Sequence, residues 1–159
     1  MIRSTTAADT AALMLLAEAL GLFEPQELAE LKTMLLAYLN GETRSGEFWL
    51  TDDDDDHGPV GVAYCAPERM TEGTWNLLFI AIHPDHQGQG RGGQLIRQVE
   101  HLLKARGAHL LIAETLAEFE LTRAFYRQCG YREQACIPDF YAPGADKIVY
   151  CKPLTATAP

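Results

Sequence analysis

The 159-residue chain is poor in positive charge: 13 lysines and arginines stand against 22 aspartates and glutamates, for a formal net charge of −9. An acidic surface repels polyanions, which argues against nucleic acid or an anionic membrane as the main partner and leaves cationic amines as the favoured class. There is no basic segment followed by an apolar one at the start, and no apolar run approaches the roughly 20 residues of a membrane helix. A soluble, cytoplasmic protein is therefore expected. Cysteine is sparse, and Cys65, Cys129, Cys136 and Cys151 show neither C-x-x-C nor zinc-ligand spacing, as expected for reduced thiols in a cytosol. Internal repeats and low-complexity linkers are also lacking. With 47% hydrophobic residues, the chain is expected to form one compact domain over residues 1 to 154, followed by a frayed tail from Thr155 to Pro159.

The N-terminal third reads as helical. Asp9 or Thr10 is placed to cap a helix through Leu20, and Pro25 to open another through Leu39, stopped by Gly41. Leu13, Leu16, Leu20, Leu28, Leu31 and Leu35 recur on one face and read as core. Phe48 to Leu50 and Pro59 to Tyr64 read as strands, so the Asp52 to Asp56 run between them reads as the solvated tip of a hairpin, with steering of a cationic substrate and adventitious divalent binding as the alternatives.

The most informative stretch runs from His83 to Gly93. It joins the apolar strand Leu77 to Ile82 to a helix whose Leu95, Ile96, Val99, Leu102 and Leu103 recur at helical spacing. Glycines let a ligand approach the backbone, while the unpaired amides and dipole of a helix start favour an anion. The loop thus reads as a pyrophosphate site. Gly88, Gly90 and Gly93 also satisfy the dinucleotide pattern G-x-G-x-x-G. That pattern needs its first glycine directly after the strand, however, and here His83 to Gln87 intervene; the chain after Gly93 is also too short to complete a doubly wound sheet. His109 to Ala113 supplies a second strand, which a crossing helix normally leaves parallel to the first.

Gln87-Gly88-Gln89-Gly90-Arg91-Gly92 resembles the cofactor loop of the GNAT superfamily of acyl-CoA N-acyltransferases. The segment Thr122 to Tyr131, a short tyrosine-bearing helix followed by Gly130-Tyr131, is similar to that family's second signature. The resemblance spans about Trp75 to Tyr131. It implies an α/β GNAT fold: a single mixed, mostly antiparallel twisted sheet of six to seven strands flanked by helices, with a parallel, splayed central pair. It implies acetyl-CoA as co-substrate, bound by Gln87, Gly88, Gln89, Gly90, Arg91, Gly92 and Gly93, with the backbone of Phe79, Ile80, Ala81 and Ile82 along the pantetheine arm. The implied reaction is direct attack of a primary amine on the thioester, with no covalent enzyme intermediate. Tyr126 takes the place of the tyrosine that protonates the departing thiolate. The N-terminal helices take the place of those that wall the acceptor pocket.

The chain departs from the family in two ways. Phe119 stands where many members carry an asparagine, and the strand from Trp75 to Ile82 holds no acid to serve as base. Glu114 is the first candidate base, ahead of His83, Glu72 and Asp139. Phe140 and Tyr141 lie in a loop, Pro138 to Lys147, between two closing strands, and are expected to line the pocket of a small-molecule amine, with core anchoring as the alternative role. A non-catalytic acyl-CoA sensor stays open as a second reading, as do monomer and homodimer. His83 and His86 lack a third convergent ligand, so no metal is expected.

Overall fold

A computed structural model describes residues 1–154; the expected tail lies outside the described residues. Strands β1 (Ile2–Ser4), β2 (Phe48–Asp54), β3 (Gly58–Pro67), β4 (Thr74–Ile82), β5 (Leu110–Leu116), β6 (Arg132–Ala142) and β7 (Ala145–Pro153) are ordered β1-β2-β3-β4-β5-β7-β6. Helices α1 (Thr10–Ala19) and α2 (Pro25–Leu39) precede β2, α3 (Arg91–Ala105) links β4 to β5, and α4 (Glu120–Gln128) links β5 to β6. The mixed α/β sheet with its parallel β4/β5 pair is the fold expected from the sequence. Among the described residues, no helix is long and apolar enough to cross a membrane.

The chain forms two compact units, and β4 and α3 contribute residues to both. The first comprises Met1–Ala66 and Phe79–Val99. Its β1, β2 and β3 are antiparallel, with Ser4 opposite Leu50 and Leu50 opposite Ala63. Pro25 opens α2 at a position that needs no amide donor, and the Glu24 amide is taken by the Glu27 carboxylate at 2.8 Å. The leucine faces of α1 and α2 bury Leu13, Leu16, Leu31 and Leu35 against Trp49, Val62, Tyr64 and Ala81, with Leu20 and Leu28 at the margin. Each fully buried leucine contributes about 1.5–3 kcal/mol, so this face sets the placement of both helices.

Two local expectations change here. Asp9 does not cap α1 through its side chain; it closes the short 3-10 turn Ala7–Asp9 by accepting from the Thr6 amide at 2.8 Å. The acidic run is not a uniformly solvated tip. Strand β2 continues through Asp54, Asp52 is buried, and only Asp55 and Asp56 of the five aspartates are exposed, because the first three have cationic partners.

The second unit comprises Pro67–Leu78 and residues from Glu100 onward. The parallel register runs from Thr74 opposite Leu110 to Leu77 opposite Ala113, and β7 pairs antiparallel with both β5 and β6. The Glu100 carboxylate, 5% exposed, accepts from the Tyr131 hydroxyl at 2.9 Å and from Lys152 Nζ at 2.9 and 3.0 Å. A buried charge needs such partners, and this one ties α3 to the segment after α4 and to β7. The loop expected from Pro138 to Lys147 shrinks to a tight turn at Pro143 and Gly144, because β6 runs through Ala142. A register shift between Ile137 and Ala142 lets the strand carry this segment, with Asp139 at φ 55°. The Asp139 carboxylate accepts from the Gly144 amide at 2.7 Å, and its own amide donates to Asp146 at 2.9 Å.

Candidate functional site

The glycine-rich loop lies in the first unit. After β4, His83 leads into a 3-10 turn, Pro84–His86, and Gln87 folds back so that its side-chain amide donates to the Ile82 carbonyl at 2.9 Å. Gln87 therefore shapes the loop by tying it to the strand end. Gly88 and Gly90 follow at φ 72° and 77°, conformations that cost other residues about 1–2 kcal/mol, and a Cβ at either would meet nothing within 4 Å. Here glycine meets a backbone demand and leaves open space beside the chain. The Gly90 carbonyl accepts from the Gln94 amide at 3.1 Å, so the first turn of α3 begins there, and the amides of Arg91, Gly92 and Gly93 precede any intrahelical acceptor. A helix start with such free amides is the arrangement that can hold an anion. Gln89 is exposed and joins Asp52, Arg91, Gln94 and Gln98 around a polar recess of about 480 Å³.

Arg91 is among the residues expected to hold the cofactor; its guanidinium is turned onto β2, which leaves its backbone amide for that role. It donates to Asp52 at 3.0 Å and also pairs with Asp54. The His57 ring, then the Asp56 amide, hold the Asp54 carboxyl down to about 2, with the charge of Arg91 adding to the effect. Arg91 thus braces the start of α3 against the hairpin. On β4, Phe79 packs edge-on against Phe23 with ring centroids 5.7 Å apart, Ile80 is half-buried, and Ala81 and Ile82 are buried. What that segment offers a ligand is mainly backbone.

The second unit brings three expected residues together. Glu114, near the end of β5, pairs with Lys147 at 2.8 Å; the Lys147 ammonium sits 3.8 Å from the centroid of the Phe140 ring; and Phe140 packs edge-on against Tyr141. Burial pushes the Tyr141 phenol up, and the charge of Glu114 adds to the shift. The result is a carboxylate and an aromatic face already holding one ammonium. Both aromatics remain about half exposed, at 50% and 47%, so they do not anchor the core. Glu114 as a base has to act beside a lysine that competes for its oxygen. Of the other candidates, Asp139 is spent on its turn, Glu72 is exposed, and His83 accepts from the Asp85 amide at 3.3 Å.

Tyr126 is 3% exposed, stacked on Tyr150 at 5.2 Å and edge-on to Tyr131 at 5.6 Å. Phe119 sits immediately before α4 and accepts the Arg123 amide on its carbonyl, so it serves the helix start through its backbone. Sequence reasoning missed Lys147 and the partners of Arg91. Opposite charges at fitting separations were present, but nothing local in the chain points to those pairings.

Residues 13–131 match the acetyltransferase (GNAT) family. A solved structure from Desulfovibrio desulfuricans, assigned to the GNAT family, is 30% identical, with a TM-score of 0.90 over 98% of this chain and 99% of that one. A second, from Salmonella typhimurium with its cofactor acetyl-CoA, is 18% identical with a TM-score of 0.79, covering 100% of this chain and 96% of that one; at that identity the likeness shows the fold alone. An uncharacterised N-acetyltransferase of Methanocaldococcus jannaschii is 26% identical over 84 residues, 52% of this chain and 54% of that protein, so the chain spans about half the length of this curated relative.

Proposed function

The chain belongs to the GNAT acetyltransferase family, and from that premise we propose that it is an N-acetyltransferase moving an acetyl group from acetyl-CoA to the primary amine of a small molecule. The observation that carries this is the end of β4 passing through a turn with Gly88 and Gly90 at positive φ into the unpaired amides of α3. Those amides would hold the pyrophosphate, the backbone from Phe79 to Ile82 the pantetheine arm, and the side chains of Gln87 and Arg91 would keep the loop in place.

In the proposed reaction the neutral amine attacks the thioester carbonyl, a C–N bond forms, and the C–S bond breaks as the tetrahedral species collapses. The amine proton leaves to a base, with Glu114 as the candidate, and the thiolate takes a proton from the Tyr126 phenol. The Glu114, Phe140 and Tyr141 group supports an amine acceptor, because it already accommodates the ammonium of Lys147. Cation–π and carboxylate contacts suit any primary ammonium of similar size. A single domain over 1–154 and a cytoplasmic location belong to the same reading. The family match includes residues of both compact units, and the four cysteines form no disulfide among the described residues.

The test is a panel of polyamines, amino acids, aminoglycosides and peptides with acetyl-CoA, followed by thiol release. Turnover of small amines is the expected result. Acetylation of peptides alone refutes the small-molecule assignment, and tight acetyl-CoA binding with no release from any amine identifies a sensor instead.

A further inference from the structure

The hairpin tip and the turn before the glycine loop bring together three side chains that the acetyl-transfer chemistry does not use. Asp54 ends β2, His57 lies in the β2/β3 turn, and His86 closes the 3-10 turn after β4. One ligand atom from each lies within 4.8 Å of the others. The two imidazole rings meet edge-on with centroids 4.9 Å apart, and His57 Nδ1 is 2.8 Å from Asp54 Oδ1. The third convergent ligand that His83 and His86 lack in the linear chain is thus supplied from the hairpin, where His57 and Asp54 replace His83. We propose that Asp54, His57 and His86 form a binding site for a first-row divalent cation of the zinc class.

The donor set selects the ion. Two imidazoles and one carboxylate suit zinc, cobalt, nickel or copper, whereas calcium and magnesium require more oxygen ligands. With metal–ligand bonds of roughly 2.0–2.2 Å, a tetrahedral site needs its ligand atoms about 3.3 Å apart. The His57 to Asp54 contact is already shorter than that, and His86, within 4.8 Å of both, has to close by up to about 1.5 Å, a movement within reach of imidazole rotation. The cation would take the place of the proton that His57 shares with Asp54. A ligating carboxylate has to be held in orientation, and Arg91 does this from the opposite oxygen while the Asp56 amide donates at 3.2 Å. His83 stays outside: its ring packs edge-on to His86 at 5.9 Å and its Nδ1 accepts from the Asp85 amide. Because the His57 side chain is 61% exposed, the fourth position faces water, and the site is exchangeable rather than sealed. A bound cation would pin the hairpin tip to the turn from which Gln87 and Gly88 lead, joining segments that β-pairing alone does not join there.

The experiment is calorimetric titration of the full chain with zinc in a Cys136→Ser background, since Cys136 is the exposed thiol. Thermal melts with and without zinc, and the visible spectrum of the cobalt-loaded protein, accompany it. One zinc per chain is expected, with a zinc-dependent rise in melting temperature and a cobalt spectrum lacking thiolate charge transfer. His57→Ala and His86→Ala should each weaken binding at least about tenfold and remove the rise, while His83→Ala and Asp55→Ala leave both intact. His57 is exposed and His86 only half-buried, so zinc-free melts of their variants should match the parent; if either does not, His57→Gln or His86→Gln replaces it. No measurable binding, thiolate charge transfer in the cobalt spectrum, or affinity unchanged in both histidine variants overturns the site, the last marking an adventitious ion only.

Discussion

Arg91 distinguishes a brace from a ligand. Its side chain is 20% exposed, while that of Asp52 is 4% exposed. Breaking a fully buried ion pair costs about 3–5 kcal/mol and an exposed one less than about 1, so Arg91→Gln at this half-covered pair should cost about 2 kcal/mol. For a chain of this size that lowers the melting temperature by roughly 4–8 °C. Asp52→Asn should cost less on its own, because it leaves an amide where Arg91 had a charge partner, and the double variant should show a coupling of about 1–2 kcal/mol. Affinity for acetyl-CoA then separates the two roles. If Arg91 is a brace, both single variants loosen the start of α3 and both weaken the cofactor. If it is a ligand held in reserve, Asp52→Asn leaves the guanidinium to Asp54 alone, loosens its hold on β2 and strengthens the cofactor. Melting curves for the four proteins and calorimetry with acetyl-CoA decide the matter. Tighter binding by Asp52→Asn, or a coupling below about 0.5 kcal/mol, refutes the brace.

Gly90→Val should weaken acetyl-CoA in a folded protein, since a Cβ at φ 77° is strained and fills the open space beside the loop; unchanged affinity by calorimetry would reject the loop as the cofactor site. Tyr126→Phe should lower kcat by roughly tenfold to a few hundredfold with little change in cofactor affinity, and full turnover at saturating substrates would leave Tyr126 as packing. Asp9 is held down from 3.8 to about 2, first by its hydrogen bond to Arg3, so the unfolded chain takes up its proton at a higher pH than the folded one. The stability this adds is present above about pH 4 and disappears as the pH falls toward 2. The melting gap between the parent and Asp9→Asn should therefore shrink over that window, and a gap independent of pH would contradict the assignment.

What was legible in the sequence was local. Pro25, the leucine spacing and Gly41 bound α2 because a helix's ends and face depend on neighbouring residues, and the glycines of the loop before α3 declared its backbone directly. What escaped were pairings across the chain. Asp52 and Asp54 read as solvated because composition does not say that Arg91, 39 and 37 residues away in sequence, folds back onto them. For the same reason Lys147 was not seen as the partner of Glu114. The segment from Pro138 to Lys147 read as a loop, since proline opposes a regular ladder, and in the structure Asp139 adds a positive φ. The strand kept them by giving up its register, an outcome that residue preferences alone do not reveal.

That lost register has a second consequence. β6 ends the sheet order, so its outer side has no β-partner among the described residues, and all eleven of its residues are exposed. Such an edge is a template for a stray strand from another molecule. Here the template is interrupted: Pro138 has no amide to offer, and the Asp139 amide is already given to Asp146. The distortion that leads into Phe140 beside the Lys147 ammonium therefore also interrupts the run of donors an incoming strand would pair with.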